Sequence, residues 1–139
     1  MYLSYVEYLS YGGSLDEPTF NMYEFEASAI INYYTFNRLV KDTKIDSRVK
    51  MLDYILINSI EKRYNALSLG SIATSDGSSS VAITSQSNDG VSVSYNGMSA
   101  DVLIDYTDDD NKEKVFRYLD GVTNELGRKV LYRGLYPGE

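Results

Sequence analysis

The chain has 139 residues, with thirteen Lys and Arg against twenty Asp and Glu for a net charge of -7, and it contains no Cys and no His. That length suits one domain with a genuine core, and the acidity argues against tight nucleic-acid binding, which needs clustered cations. Without Cys and His there are no disulfides, no thiolate or imidazole metal sites and none of the commonest acid-base group, so a non-catalytic protein without cofactor or metal is expected.

No stretch approaches the eighteen or more apolar residues that span a membrane, and the amino-terminal residues lack the pattern of a secretory signal. A cytosolic location in the producing cell and no membrane partner are expected. Fourteen Tyr and no Trp form an unusual aromatic balance. Tyr suits places where a ring is buried while its hydroxyl stays wet, so these residues either roof a small core or face a neighbouring subunit.

Ser4 and Glu7 stand at the capping-box spacing, which predicts a short helix starting near Tyr5. Gly12 and Gly13 supply the left-handed residue that ends it after two turns. Apolar side chains then recur at Phe20, Tyr23, Ala27, Ile30, Ile31 and Tyr34 with the three-four spacing of one helical face. Pro18 and the acids Asp16 and Glu17 mark the start of this first long helix, and its end falls between Thr35 and Leu39. Asp46 and Ser47 cap a second helix, whose stripe runs through Ile45, Val49, Leu52, Leu56, Ile60 and Tyr64 as far as Leu67. Two such helices with a short polar connection pack most simply as an antiparallel pair.

Residues 68–99 differ in composition: eleven of thirty-two are Ser, and Asp76 and Asp89 are the only charges. Val81 and Ile83 alternate with small polar residues, Asn88, Asp89 and Gly90 form a turn signal, and Val91, Val93 and Tyr95 alternate again. The reading is a β-hairpin, with a disordered Ser-rich loop as the alternative. One hairpin alone is marginal in water, so Val81, Ile83, Val91, Val93 and Tyr95 are candidate contacts with the helices or with another copy.

Beyond an ambiguous stretch over 100–106, Asp108, Asp109 and Asp110 precede a stripe at Val115, Leu119, Val122 and Leu126. A third helix is placed over 111–126, tolerating Gly121 and stopping at Gly127. The acid triplet reads as a helix start rather than a metal site, because it lacks the alternation, the Gly and the Glu of a calcium loop. No Ser stands in a nucleophile elbow, and the glycines form no phosphate-binding loop.

The tail, 128–139, sets Arg128, Lys129 and Arg133 against Glu139 alone, on an otherwise acidic chain. Attraction to the body of another copy follows, and burial there would cover Leu131, Leu135 and the two tyrosines. Arg128, Lys129, Tyr132, Arg133, Leu135 and Tyr136 are therefore candidate subunit contacts. The fold class expected is mainly α, a single unit over 1–139. It consists of two long antiparallel helices and a shorter third one, with a hairpin or extended-loop insertion and an extended tail.

The segment Glu17-Pro-Thr-Phe-Asn-Met-Tyr-Glu-Phe-Glu through Tyr34-Thr-Phe-Asn-Arg-Leu39 resembles the first long helix of head-tail connector proteins of long-tailed bacteriophages and their prophages. Leu131-Tyr-Arg-Gly134 is similar to the carboxy-terminal motif of that family, and the Ser-rich stretch ending in Val91-Ser-Val-Ser-Tyr95 sits where such proteins carry an extended loop. The chain departs from the family in a longer insertion over 81–90. The resemblance implies a non-enzymatic helical adaptor that forms a ring of about twelve copies beneath the portal, in the virion neck, after assembly in the host cytoplasm. Its implied partners are the portal protein and a tail-side completion or stopper protein, with DNA passing through without specific binding. Twelve copies at -7 carry roughly 84 negative charges, and such a wall repels a passing duplex within about 8 Å at physiological salt. Another phage tail or baseplate structural protein, or a non-catalytic interaction domain, would share these features. A small metal-dependent enzyme would have to work with carboxylates alone.

Overall fold

A computed structural model describes the backbone of residues 1–75 and 100–139 and the side chains of 1–68 and 105–139. Its described residues form four helices: α1 (Tyr5–Ser10), α2 (Glu17–Tyr34), α3 (Ser47–Ser75) and α4 (Ala100–Leu119). The expected hairpin over 81–95 lies outside the described residues. The chain divides into two compact units, one made of Met1–Asn58 and Asn111–Glu139, the other of Ser59–Asp110.

In the first unit, the capping box of α1 is complete. The Glu7 amide donates to Ser4 Oγ at 3.2 Å and the Ser4 amide donates back to Glu7 Oε2 at 3.0 Å. Gly12, at φ +97, ends the helix in a conformation that costs other residues strain. Pro18 sits in the first turn of α2, where its missing N–H is not needed. The sequence stripe on α2 is the buried one: Phe20, Tyr23, Ala27 and Ile31 face the core. At the head of α3, Asp46 accepts from the Arg48 amide at 2.8 Å, as a capping aspartate should. Val49, Leu52, Leu56 and Ile57 of α3 are fully buried, and each such aliphatic side chain contributes about 1.5–3 kcal/mol. Tyr8 of α1 completes this core, its ring 4.8 Å from that of Phe20 and 5.8 Å from that of Tyr54.

In the second unit, Ser59, Ile60 and Thr107 are buried, and Arg63 pairs with Asp108 at 3.7 Å.

Three boundaries differ from those read in the sequence. The second long helix does not stop at Leu67 but continues to Ser75. Ser and Gly are poor helix formers, yet none is a Pro, and extending an existing helix costs far less than starting one. The last helix covers 100–119, not 111–126. Its inward face runs through Thr107, Asn111, Val115 and Leu119, all buried at intervals of four. Two of these four are polar, so a count of apolar residues finds only the second half of the face. Asp108, Asp109 and Asp110 consequently lie inside the helix rather than ahead of it. Gly121 is not a tolerated interior residue either: at φ +77 it ends the helix, and the Val122 amide donates to the Leu119 carbonyl at 3.0 Å.

After α4 the chain makes a tight reversal. The amides of Val130 and Asn124 donate to the carbonyls of Val122 and Arg128 at 3.0 and 2.9 Å, with a single antiparallel bridge between Thr123 and Lys129. Gly127, at φ +74, takes the left-handed place in this turn, and Asn124 Oδ1 accepts from the amides of Leu126 and Arg128. Val122 and Val130 are buried, which anchors the reversal to the core.

Candidate functional site

The most elaborate polar arrangement in the first unit is built on Arg38. Helix α2 ends at Thr35, whose amide and hydroxyl both donate to the Ile31 carbonyl. Phe36 and Asn37 then adopt left-handed conformations at φ 54 and 59, and the Asn37 amide closes the helix end by donating to the Asn32 carbonyl at 3.0 Å. Two consecutive left-handed residues are costly without glycine, and an aromatic residue pays more than Asn. The turn places Leu39 in the core and directs the Arg38 guanidinium across the chain onto residues 129–139.

The Arg38 side chain is 3 % exposed. Nη1 donates to the carbonyls of Lys129 and Val130, both at 3.3 Å, and to that of Tyr132. Nη2 donates to the Gly134 carbonyl at 2.6 Å and to Glu139 Oε2 at 3.1 Å, while Nε donates to Glu139 Oε1 at 2.9 Å. The planar fork thus pairs with a carboxylate on two N–H groups while its remaining donors gather main-chain oxygens, a division that Lys cannot reproduce. Aromatic rings line the cation, with Tyr136 5.0 Å, Phe36 5.2 Å and Tyr132 5.9 Å from Cζ to centroid. Glu139 answers with a carboxyl lowered to about 2, chiefly by the Arg38 hydrogen bonds and then by the Tyr136 amide. The same pairing raises Arg38.

Each candidate residue of the tail now has a place. Arg128 donates to the Pro137 carbonyl at 2.8 Å and lies 3.7 Å from Glu139, so the one acid of the tail serves two arginines. The Lys129 amide donates to the Tyr136 hydroxyl at 2.9 Å, and the rings of Tyr132 and Tyr136 meet at 5.0 Å. Gly134 lies under the Tyr132 ring, where a Cβ would collide with it. Arg133 is exposed, Tyr132 is half exposed and Leu135 is 84 % exposed. The tail therefore folds onto its own chain while still presenting Arg133 and Leu135 outward. Val81, Ile83, Val91, Val93 and Tyr95 lie outside the described residues.

A second buried cluster joins α2 and α3 under the amino-terminal residues. Glu24, 3 % exposed, accepts from the Tyr2 amide at 3.0 Å and from Ser28 Oγ at 2.6 Å, and the Met1 amino group lies 4.0 Å away. Asp53, fully buried, has no well-formed hydrogen bond at either carboxyl oxygen, and the Leu3 amide and the Met1 amino group favour its charge only weakly. The group that faces it is the Glu24 carboxylate, so a hydrogen bond between them exists only when a proton is shared. Burial first, and Glu24 second, push the Asp53 carboxyl up to about 9. Both effects favour the protonated form of the acid.

Neither Arg38 nor Asp53 is singled out as a site residue by sequence reasoning. A signal existed for each. Arg38 is the first cation after a long stretch without one, and Asp53 falls beside Leu52 on the face shared by Val49 and Leu56. Among the described residues, no group of three or more acids is placed to hold a metal ion, and no helix is long and apolar enough to cross a membrane. No family model, curated protein or solved structure matches this chain.

Proposed function

We propose that this chain is a non-enzymatic structural subunit, a head-tail connector of a long-tailed phage or prophage that assembles as a ring of about twelve copies beneath the portal. One observation carries the reading. Two of the segments on which the resemblance rests, 34–39 and 131–134, are about a hundred residues apart and meet in space, where Arg38 of the first binds the carbonyls of Tyr132 and Gly134 in the second. Motifs that build one object are expected to occur together.

The clasp supports an assembly role because it fixes a basic and apolar knob, Arg133 beside Leu135, on a chain of net charge -7. Such a knob is attracted to an acidic neighbour and repelled by little of it. In this reading α2 and α3 pair antiparallel, residues 81–95 reach the adjoining subunit, and the portal and a tail-side stopper protein bind opposite faces of the ring. The DNA passes an acidic wall without specific contact.

Co-expression with the portal protein of the same genome, followed by electron microscopy, tests the proposal. Stacked rings at equal subunit stoichiometry are expected. Arg133→Glu should reduce docking at least tenfold while leaving the circular-dichroism spectrum unchanged. Labelling of virions that finds the chain in the baseplate or along the tail would overturn the connector reading in favour of another tail component.

A further inference from the structure

Helix α2 has a second apolar stripe, on the side opposite its core face. Met22, Phe25, Ala29 and Tyr33 follow one another at steps of three, four and four, and at about 100° per residue they fall within roughly an 80° arc. Phe36, seven residues past Ala29, lies beyond the helix in the left-handed turn, half exposed beside the Arg38 guanidinium. These are not core positions: Phe25 is 77 %, Tyr33 76 %, Met22 56 % and Phe36 52 % exposed. A row of large apolar side chains of this kind marks a contact surface.

Two properties of the stripe identify its occupant. It reads alike in both directions, since Phe25 and Tyr33 stand four residues either side of Ala29, and Met22 and Phe36 stand seven either side. None of its own positions is charged: between positions 18 and 37 the charged residues are Glu24, which is buried on the core face, and Glu26, which is half-buried at the edge of the stripe. Across such a face two copies of a chain of net charge -7 meet without the like-charge repulsion that an acidic face would bring.

We infer that a second copy of this chain packs on α2 as an antiparallel, two-fold helix pair centred on Ala29. Ala29 meets its own equivalent, and the small side chains let the axes approach to about 8 Å. Phe25 packs on Tyr33 of the other copy, and Met22 on Phe36. An isologous contact of this kind is closed and does not propagate. The pair is therefore a form of the free subunit, distinct from a head-to-tail ring and independent of whether the ring reading holds. Three partly exposed aromatic rings and a methionine amount to roughly 500 Å² per copy, or about 1,000 Å² for the pair, which belongs with weak and reversible interfaces.

The absence of cysteine makes the test direct. Ala29→Cys, oxidised in the full-length chain, should cross-link two copies in high yield, whereas Glu113→Cys on the exposed side of α4 should not. Sedimentation of the unmodified protein should show a mass rising with concentration from 15.7 kDa toward twice that value. F25K and Y33E, each at an exposed site, should weaken pairing at least tenfold with helix content unchanged. The double variant F25K/Y33E brings opposite charges face to face across the two-fold axis and should recover most of the loss. A monomer at every concentration, assemblies larger than a pair through these residues, or no recovery in the double variant would each overturn the inference.

Discussion

Replacing Asp53 by Asn isolates the buried carboxyl, because the amide keeps the outline of the acid and cannot ionise. Asp53 is fully buried beside Glu24, and its carboxyl is raised from 3.8 to about 9. The sign follows from proton binding. The folded chain holds this proton more tightly than the unfolded chain, so the contribution to stability is complete below pH 4 and is lost as the pH rises toward 9. At pH 7 the unfolded chain has released the proton across about three pH units that the folded chain has not, which costs the native protein about 4 kcal/mol at 1.36 kcal/mol per unit. Asp53→Asn escapes that cost. Urea unfolding at pH 5, 6, 7 and 8 should show the variant more stable than the native protein at pH 7 and 8, with the advantage shrinking to about 1–2 kcal/mol at pH 5. Parallel curves, or a variant less stable at pH 8, would refute the picture of a neutral acid and point to an ionised carboxylate with a partner.

Further outcomes follow from the clasp and the first core. Arg38→Lys should lose about 2–4 kcal/mol, since an ammonium cannot serve a carboxylate and four carbonyls together, and amide exchange of Lys129 and Tyr132 should accelerate with it. Glu139, lowered to about 2, contributes stability that is present above its ordinary range near 4.5 and lost as the pH falls through 2; exchange of the tail amides, followed by NMR, should rise over that window and not above pH 5. Gly13→Ala drives a methyl group into the buried Tyr8 ring, whose hydroxyl accepts from the amides of Ser14 and Leu15. Thermal unfolding should show a loss of about 1–3 kcal/mol.

Where local chemistry decides the structure, the sequence was readable. The capping box at Ser4 and Glu7, the stop at Gly12, the Pro18 start and the Phe20 to Ile31 stripe are each set by residues within a turn or two of one another. The last helix was not readable, because Thr107 and Asn111 occupy its inward face and resemble surface residues in any count of apolar positions. Gly121 misled for a related reason: a glycine within a helix and one that ends it look alike until φ is known. The candidate site was legible in its parts only. Six tail residues could be named from charge and composition, but the atom that organises them, the Arg38 guanidinium, lies about ninety residues earlier and nothing local advertises the pairing. The role of Asp53 needed the third dimension too, since its proton depends on Glu24 from another helix.

The span of the Arg38 to Glu139 bond, 101 residues, has a consequence for biosynthesis. At about 5–20 residues per second, a nascent chain exposes the guanidinium for roughly 5–20 s before the ribosome has made the carboxylate that will neutralise it. During that interval the Phe36 and Asn37 turn is held by its own bonds, the Asn37 amide to the Asn32 carbonyl among them, and lacks the carboxylate that seals it. The seal therefore forms late, only after residues 129–139 have been made, and slower translation of the intervening hundred residues would lengthen the time spent ajar.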